Sequence, residues 1–242
     1  MAWKIDFDYV SAQPDFDFDP APDGTTPWGF GWGWGRGSRV AEAQVPQSAR
    51  QKDNNRLVDV FPLPGFSCVN KRFRDVVESF EPNTHQFFPI TLRSKKGVTY
   101  DEPYFLINVC QTFDSIMVGN SNTEWRVRLA GGLEGMPYVS RPNPPRLISR
   151  PTIAGRHLWR NYWIYEGDIM VSDDLRDALL REKIIRLKLK EPRAQYYEEV
   201  DSYFTYQEQA PAMLDWMETN RPSVMFDQHL DWIKTYTPHW LA

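Results

Sequence analysis

The chain states one phrase twice, and this repetition limits what it can fold into more than any other feature. Val69-Asn70-Lys71-Arg72-Phe73-Arg74-Asp75-Val76-Val77 returns without gaps as Val171-Ser172-Asp173-Asp174-Leu175-Arg176-Asp177-Ala178-Leu179. Each copy reads as an apolar lead-in, a capping residue and a short amphipathic helix, with a strand to follow. Asn70 and Ser172 are N-cap residues, whose side-chain oxygens accept amide protons that the first helical turn leaves unpaired. Phe73, Val76, Val77 and Phe80 fall on one helical face in the first copy, and Leu175, Ala178 and Leu179 do so in the second. Asp173 and Asp174 suit the positive end of the helix dipole, whereas Lys71 and Arg72 gain nothing from it. The copies therefore share packing and differ in surface charge. The phrase builds a scaffold and carries no chemistry of its own.

Around the two copies the pattern predicts a mixed α+β fold. Glu81-Pro82-Asn83 ends the first helix, and Phe87 to Leu92 reads as a strand. After a turn at Ser94 to Gly97, Tyr104 to Val109 is almost continuously apolar, as a central strand should be. Ile185, Leu187 and Leu189 alternate with Arg186 and Lys188, a half-exposed strand. Asp15-Phe16-Asp17-Phe18-Asp19 also alternates, but Pro14, Pro20, Pro22 and Pro27 confine it to an edge. Residues 38–55 read as a loop or short helix, and 119–150 as a long loop with one short strand near Trp125. Tyr196 to Tyr203, Met213 to Met217 and Phe226 to Ile233 read as helical pieces. The expected fold is α+β, a mixed sheet built partly from two similar strand–helix–strand units, with a helical C-terminal extension. The expected layout is one structural domain: an aromatic, Gly-rich segment 1–56 packed on the core, the α+β core 57–190, and an acidic extension 191–242.

At 242 residues, with 41% apolar and 14% aromatic residues, the chain can bury a core, which excludes wholesale disorder. No apolar run has the length of a signal peptide at the N-terminus or of a bilayer span anywhere, so a soluble cytoplasmic protein is expected. Cys68 and Cys110 make neither a ligand spacing nor a disulfide framework and read as buried free thiols. Charge is uneven. Residues 1–27 hold six acids against Lys4, and residues 191–242 hold nine against Arg193, Arg221 and Lys234, which leaves the middle basic. The acidic ends can fold onto that middle or face a basic partner; the first needs no second molecule.

Chemistry is hard to find. In Trp28-Gly29-Phe30-Gly31-Trp32-Gly33-Trp34-Gly35 aromatics alternate with glycines, but Arg36 stands where a dinucleotide fingerprint needs its third glycine. An extended core or interface strand fits better. Trp28, Trp32 and Trp34 could instead stack bases or sugars, making a glycan or single-stranded nucleic-acid module the alternative. His85, His157, His229 and His239 form no metal pattern, and Asp227 and Asp231 around His229 read as a solvated helical face. An enzyme would have to be assembled from distant residues such as His85, His157 and Asp114. No enzyme activity, catalytic residue, metal or cofactor is expected.

Taken in order, Val69-Asn70-x-x-Phe73, Phe88-Pro89-Ile90, Tyr104 to Val109, Phe113-Asp114 and Ile169-Met170-Val171-Ser172-x-x-Leu175 resemble one known family. From about Leu57 to Leu189 the chain is similar to the MXAN-type immunity proteins of bacterial polymorphic-toxin systems. The resemblance implies a non-enzymatic protein that binds and neutralises a secreted toxin encoded beside it, and it brings no catalytic residues. The implied partner is that cognate toxin, with a basic nuclease the class that acidic ends would suit; neither membrane nor direct nucleic-acid contact is implied. Aromatic and acidic surface candidates for the contact are Trp32, Trp34, Tyr196, Tyr197, Glu198, Glu199 and Asp201.

Overall fold

The computed structural model describes residues 1–5, 13–19, 37, 39–113, 115–117, 147–161, 169–184 and 196–201, and the backbone at 125–127 and 137–139. The strands, in chain order, begin with β1 (Ala2–Ile5), β2 (Phe16–Phe18), β3 (Ser48–Gln51), β4 (Val60–Leu63) and β5 (Phe66–Asn70). Helix α1 (Lys71–Phe80) leads to β6 (Gln86–Arg93), β7 (Tyr104–Asn108), β8 (Thr112–Phe113), β9 (Trp125–Val127), β10 (Pro137–Val139) and β11 (Leu147–Ser149). Then come α2 (Arg150–Ile153), β12 (Leu158–Asn161), β13 (Ile169–Ser172), α3 (Asp173–Arg181) and β14 (Tyr196–Val200). Among the described residues these strands form two six-stranded sheets, β2-β3-β6-β7-β5-β4 and β11-β14-β1-β13-β12-β8, and the β9–β10 pair.

Both copies of the repeated phrase fold as their residues dictate. The Asn70 side chain accepts from the Phe73 amide at 3.1 Å, and Ser172 accepts from the Leu175 amide at 3.3 Å. Phe73 and Val77 of α1, and Leu175, Ala178 and Leu179 of α3, are buried. The helices pack on each other, and Phe73, Val77, Leu175 and Leu179 share one core with Val69 and Phe105 of the first sheet and Trp3, Leu158 and Val171 of the second. A second core, with Phe16, Phe61, Cys68, Phe88 and Leu106, lies on the other face of the first sheet.

The repetition extends well beyond nine residues. β5 runs antiparallel between β4 and β7, as β13 does between β12 and β1. Val69 faces Val60 and Phe105; Val171 faces Leu158 and Trp3. Next, β6 pairs antiparallel with β7 and β14 with β1, so that Pro89 faces Phe105 where Tyr196 faces Trp3. Finally β3 and β11 add in parallel, Ser48 against Thr91 and Leu147 against Glu198. Two five-stranded units of the same order and register result. Their connectivity differs at one strand: β7 follows β6 along the chain, whereas its counterpart β1 arrives from the opposite end of the sequence.

Three expectations change. The two units build a sheet each rather than one sheet together. Segment 1–56 does not merely pack on the core; it supplies β1 to the middle of one sheet and β2 and β3 to the other. Tyr196 to Val200 is a strand, not a helix, because β1 offers it a pairing edge and its tyrosines and valine fit a pleated sheet. As expected, β2 is an edge strand and β7 a central one. The strand read at Ile185 to Leu189, the helical pieces after Asp201 and the Trp28–Gly35 run lie outside the described residues.

Candidate functional site

Two of the residues from which an enzyme would have to be assembled do converge, on Glu81, just past the end of α1. The His85 ring lies 2.8 Å from Glu81 Oε2, and the amides of His157 and Leu158 donate to the same carboxylate at 2.8 and 3.0 Å. Gln111 donates to Glu81 Oε1 at 2.9 Å. The Cys110 amide donates to His85 Nδ1 at 3.2 Å, which leaves the ring proton on Nε2, directed at Glu81. Burial pushes the Glu81 pKa up, but the hydrogen bonds from His85, the His157 amide and Gln111 outweigh it and hold the carboxyl below its ordinary range. The His157 ring is also occupied, by the Ser172 hydroxyl at 2.9 Å and the edge of Phe80. Glu81 therefore ties the end of the first unit's helix to the start of β12 in the second. Asp114 lies outside the described residues.

Cys68 is fully buried, and burial raises its pKa well above the ordinary value; Cys110 is half-buried rather than buried, and burial raises its pKa too. Among the described residues no three His, Cys, Asp or Glu side chains gather as a metal site would need, and no helix is long and apolar enough to cross a membrane. A cleft of about 470 Å³ beside α1 is lined by Arg39, Arg74, Asp75, Glu78, Asn83, His85 and Phe87, with the His85 side chain itself fully buried behind it. Both of its arginines are already engaged, Arg39 by the Asn83 and Thr84 carbonyls and Arg74 by Asp75.

Among the described residues, several acids of the two ends pair with the basic middle. Lys52 pairs with Asp15 and Asp17, Arg93 with Asp19, and Arg150 with Glu199 and Asp201. Of the contact candidates, Trp32 and Trp34 lie outside the described residues, and the pleat of β14 divides the others. Tyr197 is fully buried and belongs to this chain's own interior. Tyr196 and Glu198 project from the other face and are exposed, Tyr196 at 39%. Tyr196 is the one exposed aromatic side chain among the described residues.

Residues that the sequence did not single out surround Tyr196. Its ring lies 5.7 Å from that of Trp3, the Trp3 indole donates to Asp173 at 2.6 Å, and Arg176 lies 3.9 Å over the indole. The repeat carried a signal for Asp173, Asp174 and Arg176; nothing in the sequence marked Trp3 as their neighbour.

No curated protein matches the chain. The Immunity protein family (Imm11) matches residues 2–220, which spans both units and agrees with the resemblance carried by the ordered motifs. The chain belongs to the Imm11 family of immunity proteins.

Proposed function

We propose that this protein neutralises one cognate antibacterial toxin in the cytoplasm by binding it one-to-one, with no chemistry of its own. Family membership over residues 2–220 is the observation that carries this reading. The burial of His85 and Cys68, and the engagement of the His157 ring by Ser172 and Phe80, support a binding role over a catalytic one. Such a protein must hold essentially every toxin molecule, which calls for nanomolar or tighter affinity, about −12 kcal/mol. An interface of roughly 1,600 Å² reaches this when an aromatic centre is desolvated and charge is complementary. A basic nuclease is the toxin class that best suits the acidic ends.

The test is co-expression with the neighbouring open reading frame in a heterologous bacterium. Toxicity that disappears in the presence of this chain, with a one-to-one complex on purification, is the expected result. A harmless neighbour, or toxicity that persists with no complex, sinks the reading.

A further inference from the structure

The two units share strand order, register and helix packing, so the exposed positions at which they differ mark what one unit alone presents. The shared part is specific: Arg74 lies 4.4 Å over the Phe105 ring as Arg176 lies over Trp3, and each arginine also pairs with the next residue, Asp75 or Asp177. Around this common frame Lys71 and Arg72 are replaced by Asp173 and Asp174, and Pro89 and Thr91 by Tyr196 and Glu198. Two cations in the first unit thus correspond to three carboxylates and a tyrosine in the second, and of these carboxylates Asp173 is paired with the Met1 ammonium. The helix dipole accounts for Asp173 and Asp174. It accounts for neither Tyr196 nor Glu198.

We propose that Tyr196, backed by Trp3 and followed on the same face of β14 by Glu198, with Asp174 in the first turn of α3, is the centre of the surface that receives the toxin, and that the toxin meets it with an arginine- or lysine-bearing face. The proposal rests on the neutralisation reading. A tilted ring contact with Trp3 helps to order Tyr196 while the residue stays exposed, so less ordering remains to be done on binding. Asp174 and Glu198 are exposed and make no ion pair among the described residues, unlike Glu199 and Asp201, which Arg150 already engages. An unpaired carboxylate such as Glu198 on the strand face of an exposed aromatic ring attracts a cationic partner and speeds its encounter. A guanidinium settling on Tyr196 would then repeat, between molecules, the arrangement that Arg176 and Trp3 make within this one.

The experiment measures binding of the purified neighbouring toxin to the full chain, to Tyr196→Ala, to Glu198→Lys and to Thr91→Lys, the equivalent site in the first unit. Circular dichroism and thermal melting check that each variant is folded. Tyr196→Ala is expected to weaken binding about 30-fold or more, as a central aromatic anchor does. Glu198→Lys should slow association, lower affinity about tenfold and flatten its salt dependence, with Thr91→Lys within about twofold of the parent. A parent chain that binds tightly while Tyr196→Ala and Glu198→Lys both stay within about twofold of it overturns this surface and leaves neutralisation intact. A parent chain that does not bind the toxin overturns the neutralisation reading, and this surface falls with it.

Discussion

Trp3 stands in the second sheet where Phe105 stands in the first: each faces the valine of a repeated strand, Val171 or Val69, and each carries an arginine over its ring. Trp3 comes from the first residues of the chain and Phe105 from its middle, yet both fill the same place in the core beneath α1 and α3. Removing Trp3 should therefore damage the second unit as removing Phe105 damages the first. Trp3→Ala is expected to cost about 3–5 kcal/mol. Trp3→Phe keeps a ring under Arg176 and loses only the indole donor to Asp173, a bond to a charged group worth about 1.5–3 kcal/mol. Urea unfolding of both variants checks the order; a Trp3→Ala loss below that of Trp3→Phe would show that β1 is peripheral.

The two helix caps should not be worth the same. Ser172 caps Leu175, and Ser172→Ala should cost about 1 kcal/mol, an ordinary cap loss. Asn70 caps Phe73, and its amide nitrogen also donates to Asp59 at 2.7 Å and Glu102 at 2.8 Å. Asp59 is buried and keeps its pairing with Arg72, so Asn70→Ala takes one of the donors from a buried carboxylate and also leaves the buried Phe73 amide without its cap. A cost of about 3 kcal/mol is expected for Asn70→Ala, measured by the same unfolding assay. Equal losses at the two caps would mean that the Asp59 and Glu102 contacts contribute nothing.

How much of this was legible follows from where the information sits. Caps and helix faces are local, and Asn70, Phe73, Ser172 and Leu175 were readable from spacing alone. So was β7, whose run from Tyr104 to Asn108 is buried throughout. Which strand pairs with which is not local. Ala2-Trp3-Lys4-Ile5 has no period long enough to announce a strand, and Lys4 argues against a buried one, yet Lys4 is 3% exposed at the position that Leu106 fills in the first unit. Tyr196 to Val200 reads as a helix until β1 is present to pair with it. The candidate surface was legible residue by residue, in Tyr196 and Glu198, but Tyr197 could be assigned to the interior only once the pleat of β14 was set.

Gly37 offers a test of how closely the segment after the Trp-Gly run approaches β8. Its φ of +85° is left-handed, and a Cβ there would meet Thr112 Oγ1 at 2.3 Å and Thr112 Cβ at 3.0 Å. Gly97 has nearly the same φ, +86°, but open space around it. Gly97→Ala should cost only the backbone strain, about 1–2 kcal/mol. Gly37→Ala should add about 1–3 kcal/mol for the collision, because a β-branched threonine has little freedom to turn aside. Thermal midpoints of the two variants decide the matter. A Gly37→Ala loss no larger than that of Gly97→Ala rules out tight contact with Thr112.

Glu81 makes stability depend on pH in a predictable direction. Its carboxyl titrates below the ordinary value of 4.5 in the folded protein and near that value when unfolded. The stabilisation is therefore complete above the unfolded value and is lost as pH falls through the folded one. Glu81→Gln cannot restore it, because its NH₂ group meets donors: the Leu158 and His157 amides, Gln111 and the His85 ring all point hydrogens at this site. His85 has no easy escape, since giving up its Nε2 proton for one on Nδ1 would oppose the Cys110 amide. Glu81→Gln is expected to cost about 3 kcal/mol at pH 7 and to narrow the gap from the parent as pH drops below 4.5. Chemical denaturation at a series of pH values tests it: a constant gap from neutral pH into that acid range would mean that Glu81 is not the group whose protonation loosens the junction between the two units.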